Sequence, residues 1–521
     1  NELIVNTTSG PVKGRAVHVL NKSIAQYLNI PFAEPPLGKL RFAKPEPLKH
    51  PKQLIDGTKT GNSCPQYYED GSKHFMGNIT QNEDCLVLNV WTDNDNNKTT
   101  NVLKPVMFWI HGGGLTMGSS FQWEYNGSAL ATHDVVVVSV NYRLGWLGFL
   151  FADEESAPGN VGLYDQTLAL QWVRDNIHEF GGNKDQITIF GESAGSISVT
   201  THLLSPLSKG LFHRAIMQSG AFFYSKNTLL TTKDQAVVQS KQMAAKLNCT
   251  DASKWLACLR EREAKEFVNP KVMLGSMDPL VGTQFLPMIA QMAFKSQKFN
   301  KDLEVMAGVA KHEGSFLAYY LPQARPTVNL TKQDFIKYIH QLNGIFHDIP
   351  ENNSNIIETY VGTNDTRDGI KWAEYDLFGD FIVTCPTYQF AKNYAQKSII
   401  SKSQVYFYEI TYQREDNVVG ISNKEMDVTH GAELDFVFGA PVITPEKRDT
   451  KVDTEFSQQV MKLWTDFAKY GKPANNWPKL LDNSNPKLPT KVYELNPKQM
   501  PHIFDNLFIK TCDGLWNDYY N

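Results

Sequence analysis

Residues 187–195 read ITIFGESAG, a short run of β-forming residues followed directly by the pattern G-x-S-x-G. Apolar residues then recur at helical spacing from Ile197 to Leu204. A strand, a tight turn and a helix in this order hold a serine on a strained turn, with its hydroxyl projecting from the sheet edge. The stretch therefore predicts that Ser193 is a nucleophile. The alternative is that Ser193 only caps the helix that follows it.

A second glycine-rich stretch, His111-Gly112-Gly113-Gly114, follows the apolar run from Val106 to Ile110. Consecutive glycines let backbone N–H groups approach a substrate carbonyl oxygen closely. Such donors stabilise the negative charge that develops only in the transition state. We expect the amides of Gly113, Gly114 and Ala194 to form an oxyanion hole. A plain loop is the alternative, but the position between a strand and the serine pattern favours an oxyanion loop.

A serine nucleophile needs a base, and the base needs an acid that orients it. The chain has 13 histidines, so spacing alone does not select the base. His430 is the candidate because it lies in a turn-like stretch just before the apolar run from Leu434 to Phe438. Glu313 is the candidate acid because it follows a predicted strand at Val305, in the chain order serine, acid, histidine. For both residues, an ordinary surface position is the alternative.

Strand and helix patterns alternate along the whole chain. The predicted strands are Val106–Ile110, Val135–Val140, Ile187–Phe190, Ala215–Met217, Val305–Ala307 and Val405–Tyr408. The predicted helices are Leu163–Asn176, Ile197–Leu204 and Phe456–Tyr470. This alternation predicts an α/β fold with one large, mixed and mostly parallel sheet and helices on both faces. We expect a single domain over residues 1–521.

The N-terminal segment predicts a hairpin. Ser9 to Gly14 reads SGPVKG and lies between the apolar pairs Ile4-Val5 and Ala16-Val17. Glycine and proline favour turns, so we expect the two apolar pairs to be joined by a turn at Ser9 to Gly14.

Composition and charge exclude several classes of function. The 521 residues include 41% hydrophobic and 20% charged residues, an ordinary balance for a globular protein. The net charge of -4 at pH 7 gives no basic excess that would favour a nucleic acid partner. No apolar stretch reaches the roughly 18 residues of a membrane span. We therefore expect no nucleic acid partner and no membrane span.

Cysteines and glycosylation sequons indicate the secretory pathway. The chain begins with Asn1, and we expect a mature form from which a signal peptide has been removed. Six cysteines suit an oxidising compartment, but the sequence alone does not choose their pairing. Nine N-x-S/T sequons predict a secreted or lumenal glycoprotein, with chance occurrence in an Asn-rich chain as the alternative. These candidates are Asn6, Asn21, Asn78, Asn97, Asn126, Asn248, Asn329, Asn352 and Asn364.

Longer motifs resemble one family nearly end to end. They are Tyr27–Ala33 (YLNIPFA), Pro36–Phe42 (PLGKLRF), Glu83–Val90 (EDCLVLNV), Asn160–Gln166 (NVGLYDQ), Phe190–Gly195, Gln218–Gly220 and Phe436–Gly439. With these motifs the chain resembles the type-B carboxylesterase and cholinesterase family.

The resemblance implies the α/β-hydrolase fold, with Glu313 as the acid and His430 as the base. It implies no metal and no organic cofactor, and it leaves a homodimer open. Arg41 and Glu83 match a structural ion pair of the family. The disulfides that the resemblance implies are Cys64–Cys85, Cys249–Cys258 and Cys385–Cys512.

Departures from the family pattern bear on the substrate. Cholinesterases carry a tryptophan whose face binds the quaternary ammonium group, and this chain has Phe75 at that position. Leu115 and Thr116 follow the glycines, and Leu317 follows Phe316, where cholinesterases place aromatic residues of the gorge.

Glu192, next to the nucleophile, is retained and favours positive charge nearby. Together with Phe75, Leu115, Phe316 and Leu317 it forms the predicted substrate pocket. The sequence thus predicts a secreted serine hydrolase that acts on neutral carboxylic esters. A cholinesterase is one alternative. A storage, crystalline or adhesion protein on an esterase scaffold is another.

Overall fold

The computed structural model describes residues 3–68, 79–93, 102–225, 230–272, 277–321, 324–350, 354–398, 404–414, 424–443, 450–482, 484–485 and 488–521. Its strands are β1 Ile4–Thr7, β2 Gly10–Lys13, β3 Arg15–Val19, β4 Lys22–Pro31, β5 Ile55–Asp56, β6 Val87–Asp93, β7 Lys104–Ile110, β8 Val136–Val140, β9 Phe151–Glu154, β10 Ala157–Pro158, β11 Gly182–Glu192, β12 Arg214–Gln218, β13 Glu304–Ala310, β14 Val405–Ile410, β15 Lys491–Leu495 and β16 His502–Asp505. Each predicted strand overlaps one of them.

The α-helices include all three that the sequence predicts. They are α1 Ser128–Ala131, α2 Gly145–Phe149, α3 Val161–Asn176, α4 Ala194–Leu204, α5 Lys233–Lys246, α6 Trp255–Arg260, α7 Ala264–Phe267, α8 Ala290–Lys295, α9 Glu313–Tyr320, α10 Lys332–Phe346, α11 Ser354–Tyr360, α12 Arg367–Gly379, α13 Cys385–Lys397, α14 Leu434–Phe438, α15 Ala440–Ile443, α16 Lys451–Tyr470 and α17 Asn517–Tyr520. Among the described residues, no helix has both the length and the hydropathy that crossing a bilayer requires.

Eleven strands form one mixed sheet in the order β16-β15-β14-β13-β12-β11-β7-β8-β6-β4-β3. The strands from β15 to β8 in this order are parallel to their neighbours. The outer pairs are antiparallel. The predicted mixed, mostly parallel sheet is therefore confirmed. Its strands come from nearly the whole chain, which fits the single-domain prediction without testing it.

Both faces of this sheet are buried, which explains the uninterrupted apolar runs in its strands. Along β7, Val106 and Phe108 pack in one hydrophobic cluster, whereas Met107 and Trp109 pack in another. Side chains of α3 and α4 belong to the first cluster, and side chains of α16 belong to the second. Helices therefore cover both faces, as predicted.

The N-terminal hairpin differs from the prediction. β1 pairs with β2 across a turn at Thr8 and Ser9, while Ala16 and Val17 lie in β3, which pairs with β4. The prediction of one turn spanning Ser9 to Gly14 is wrong. The turn is tighter because Gly10 adopts a φ of 116° and its carbonyl accepts a hydrogen bond from Thr7 Oγ1 at 2.7 Å.

The six cysteines are paired as the resemblance implies, as Cys64–Cys85, Cys249–Cys258 and Cys385–Cys512. The ion pair of Arg41 and Glu83 is present and buried, with Arg41 Nε 2.7 Å from Glu83 Oε1. The burial of the Arg41–Glu83 pair fits the structural role that the resemblance implies.

Three sequon asparagines, Asn78, Asn97 and Asn352, lie outside the described residues. Asn126 is half-buried. Glycosylation stays a prediction, and the exposed candidates within the described residues are Asn6, Asn21, Asn248, Asn329 and Asn364.

Arg143 and Asp165 form a second buried ion pair, whose side chains are 4% and 0% exposed. Replacing Arg143 by methionine is expected to lower the free energy of unfolding by about 3–5 kcal/mol. The loss is large because Asp165 would stay buried with its charge unpaired. Urea denaturation followed by tryptophan fluorescence measures it.

The matched control is Arg174→Met. Arg174 lies 3.5 Å from Asp185, whose side chain is 64% exposed, so its loss should cost less than about 1 kcal/mol. Equal losses in the two variants would contradict the argument from burial.

Candidate active site

The predicted site residues follow neighbouring strands at one edge of the sheet. Gly113 follows β7, Ser193 follows β11, Glu313 follows β13 and His430 lies in the segment after β14. These strands are parallel, so their carboxyl ends meet at the same edge, where sheets of this kind bind ligands. Residues more than 200 positions apart in the chain are brought together there.

Ser193 occupies a strained turn between β11 and α4, with φ 57° and ψ -125°. A positive φ in a residue other than glycine costs about 1–3 kcal/mol and marks functional positions. Ser193 stands at the N-cap of α4 but makes no side-chain capping hydrogen bond, so the capping alternative is contradicted. A Cβ on Gly195 would lie 2.0 Å from the Ile110 carbonyl oxygen, which explains why glycine is needed there.

The glycine stretch after β7 presents its amides at the same edge. Gly113 and Gly114 adopt φ values of 107° and 63°, and the Gly113 carbonyl accepts from Met117 N at 3.0 Å. Ala194 begins α4, so its N–H has no partner within the helix. Within the described part of the chain, these three amides donate to no protein acceptor. They can therefore donate to a substrate oxygen.

His430 and Glu313 form a short contact, with His430 Nδ1 2.6 Å from Glu313 Oε2. The other carboxylate oxygen, Oε1, accepts from Ala310 N at 2.6 Å. The Glu313 side chain is fully buried. A carboxylate held in this way favours the histidine tautomer with the proton on Nδ1, which leaves Nε2 unprotonated and able to accept a proton.

The other ring nitrogen of His430 meets Glu192, the residue before the nucleophile. His430 Nε2 lies 3.0 Å from Glu192 Oε1, and both side chains are buried. Burial alone would lower the pKa of His430, but the carboxylates of Glu192 and Glu313 outweigh burial and raise it above its ordinary value. Burial raises the pKa of Glu192, and His430 opposes that rise.

Two polar residues that the sequence analysis did not single out as functional link the segment of His430 to Ser193. The backbone carbonyl oxygen of Gln218, at the end of β12, accepts a hydrogen bond from Ser193 N at 2.9 Å. The Gln218 side chain donates a hydrogen bond at 3.0 Å to Oε1 of Glu433, a residue three positions after His430. Burial raises the pKa of Glu433. The signal in the sequence was a polar glutamine directly after the apolar run from Ala215 to Met217.

The predicted pocket residues fall in different surroundings. Phe75 lies outside the described residues. Glu192 contacts the base, and Phe316 and Leu317 are half-buried on α9. Leu115 is only 1% exposed and packs in the hydrophobic core. Their roles in substrate binding stay predictions.

Within the described residues, three side chains of kinds that can bind metal ions lie close together, those of Asp380, Cys385 and Cys512. The two cysteines form a disulfide. They therefore offer no thiolate, which is the form of cysteine that binds metals.

Comparison with known proteins agrees with the motifs. Residues 1–507 match the model of the carboxylesterase family. An acetylcholinesterase of Electrophorus electricus is 37% identical over 91% of this chain and 81% of its own length. Those of Bungarus fasciatus and Danio rerio are each 35% identical, over 91% and 99% of this chain and 79% and 88% of their own lengths. These matches confirm the resemblance.

Proposed function

This chain belongs to the carboxylesterase family and is a serine carboxylic ester hydrolase, and we propose that its acyl-enzyme forms on Ser193. The observation that carries the proposal is the 2.6 Å contact between His430 Nδ1 and Glu313 Oε2, at the sheet edge where Ser193 stands on its strained turn. Nucleophile, base and acid occur in the chain order and roles that serine hydrolases require.

The proposed reaction is acyl transfer in two halves. His430 takes the proton of Ser193 as Oγ attacks the ester carbonyl, and the amides of Gly113, Gly114 and Ala194 bind the oxyanion. His430 then gives the proton to the departing alcohol, and an acyl-enzyme remains. Water, activated by His430, attacks the acyl group and releases the acid. Glu313 stabilises the charged imidazole in both halves.

Neutral carboxylic esters are the proposed substrates. Phe75 offers a cation a weaker π face than the tryptophan of cholinesterases would. Leu115, Thr116 and Leu317 are non-aromatic where the resemblance expects aromatic gorge residues. These substitutions support a site with less affinity for a quaternary ammonium group.

A cholinesterase is the second candidate. The relatives described above carry the name acetylcholinesterase, and the buried carboxylate of Glu192 lies at the site. A carboxylate there favours a positively charged alcohol group.

A panel of esters separates the two candidates. Naphthyl and thiocholine esters with matched acetyl and butyryl groups should be compared by kcat/KM on the full-length protein. We expect the neutral naphthyl esters to be preferred about tenfold, since removing one cation–π contact is worth about 1–2 kcal/mol. A preference for thiocholine esters would favour the cholinesterase. No turnover of any ester by the folded protein would favour a storage, crystalline or adhesion protein.

Export from the cell is the proposed localisation. The three disulfides suit the secretory pathway, because thiols stay reduced in the cytosol. We further propose that exposed sequon asparagines carry glycan. Digestion of the natively expressed protein with an endoglycosidase should reduce its mass, and an unchanged mass would contradict the glycan proposal.

Glu192→Gln is expected to move the acidic limb of the pH profile of kcat/KM to lower pH. The charge of Glu192 favours imidazolium at His430, and an opposite charge at this distance shifts a pKa by roughly 1–3 units. Without it the pKa of His430 falls, so the neutral base is present at lower pH. The acidic limb of kcat/KM reports the pKa of the base in the free enzyme.

The control for this variant is Glu263→Gln, which removes an exposed carboxylate paired with Lys265. Its pH profile should match that of the wild type. An acidic limb in Glu192→Gln that stays in place or moves to higher pH would contradict the assignment of His430 as the base.

A further inference from the structure

The segment that carries His430 is fastened directly to the segment that carries Glu313. We call residues 424–433 the base loop. His312 N donates to the Val428 carbonyl oxygen at 2.9 Å, and Ser315 Oγ donates to the Met426 carbonyl oxygen at 2.7 Å. The base loop is therefore held by the first turn of α9 and by the residue before it.

The side chain of His312 adds a contact on each of its ring nitrogens. Nδ1 lies 2.8 Å from Asp376 Oδ1 on α12, and Nε2 lies 3.6 Å from Asp427 Oδ2 in the base loop. The ring packs on Trp372 at 4.4 Å between centroids. The imidazole thus stands between a helix and the loop that presents the base.

The two contacts depend on charge. A neutral imidazole donates from one nitrogen only, whereas imidazolium donates from both. At 3.6 Å the contact with Asp427 is too long for a hydrogen bond, and it is an ion pair only when the imidazole is protonated. Both contacts are attractive together only when His312 carries a proton.

We propose that His312 is a positioning residue, which holds the base loop through Asp427 so that His430 Nδ1 meets Glu313. The proposal rests on the proposed function, since it needs His430 to act as the base. His312 is the N-cap residue of α9, whose first residue is Glu313. A small displacement of Asp427 would therefore change the distance between the acid and the base.

Other titratable groups lie on the elements packed on this link, and burial raises the pKa of two of them, Asp380 to about 7 and Glu409 to about 8. Lys371 Nζ lies 5.2 Å from the Trp372 ring centroid, and the remaining groups interact with Asp376, with Tyr375 or with one another. Among the described residues they include Lys371, Glu374, Tyr375, Asp376 and Asp380 at α12 and its end, Glu425 and Asp427 in the base loop, and Lys311 and Glu409 beside the sheet.

A double-mutant cycle tests the proposal. His312→Asn keeps a donor but loses the charge, and Asp427→Asn removes the partner charge from a half-exposed position. Each single variant should lower kcat about tenfold at pH 6, with KM changed less than about twofold, because misplacing the base costs rate rather than binding. The double variant should lose no more than either single variant.

Charge dependence separates positioning from a general structural role. At pH 9 a histidine is largely neutral, so the coupling between the two substitutions should shrink to near zero. Each kcat is divided by the number of sites titrated with a fluorophosphonate, so that misfolded protein is not counted. His178→Asn is the control, since its exposed ring pairs only with Glu179 at 3.2 Å among the described residues.

Unchanged kcat per titrated site in both single variants would overturn the proposal, as would additive losses or a coupling that is equal at both pH values. A lower melting temperature with normal kcat per site would also overturn it. If His312→Asn fails to fold, a normal kcat in Asp427→Asn alone overturns it. If the wild type itself neither turns over esters nor binds the fluorophosphonate, the proposed function fails instead.

Discussion

Ser193→Ala is expected to lower kcat/KM for ester hydrolysis by about 10⁴-fold or more. The substitution removes Oγ, the atom that forms the acyl-enzyme bond. The remaining rate would come from the oxyanion donors and from substrate binding. Hydrolysis of a naphthyl ester at high enzyme concentration measures it, and intact-mass analysis after fluorophosphonate treatment should show an adduct on the wild type alone.

Ser196→Ala is the matched control, because Ser196 lies on the same first turn of α4. Its Oγ donates to the Gly220 carbonyl oxygen at 2.5 Å and is buried. Losing this bond should cost about 1 kcal/mol of stability and leave turnover nearly unchanged. Turnover retained by Ser193→Ala, or an adduct on that variant, would show that another residue is the nucleophile.

Glu313→Gln is expected to lower kcat by about 10³–10⁴-fold. Ala310 N already donates to Oε1, so the amide of a glutamine would place its oxygen there and its NH₂ against His430. That NH₂ donates, and it would pair with an unprotonated Nδ1. The proton of the imidazole would then sit on Nε2, the atom that must accept it from Ser193.

Glu494→Gln is the control for this variant, since Glu494 also holds a histidine. Its Oε2 lies 2.6 Å from His502 Nδ1, where β15 and β16 form one side edge of the sheet. Its turnover should match that of the wild type. A loss in Glu313→Gln no larger than in Glu494→Gln would mean that Glu313 does not orient the base.

Local sequence was sufficient to predict the strained turn that carries Ser193 and the glycine stretch that follows β7. Both are short, and their glycines are required by close backbone approaches, such as that of Gly195 to Ile110. Propensity also placed β7 and β8, because strands buried on both faces are apolar without interruption. The prediction for the N-terminal hairpin was wrong because the backbone at Gly10 closes a shorter turn than the glycine and proline pattern indicates.

Contacts between distant residues could not be predicted from the residues alone. His430 is one of 13 histidines, and only the resemblance singled it out strongly. The contact of His430 with Glu192, and the link from Gln218 to Glu433, join segments more than 200 positions apart. Such contacts depend on how the strands are ordered in the sheet, and no local pattern encodes that order.

The strand order has a consequence for biosynthesis. β12, β13 and β14, which follow β11 in the sheet, all lie between Ser193 and His430 in the chain, so they are translated before His430. A growing chain therefore carries Ser193 for more than 200 residues of translation without the histidine that we propose as its base. On the proposed function, hydrolytic activity begins only after that histidine has been made, late in synthesis.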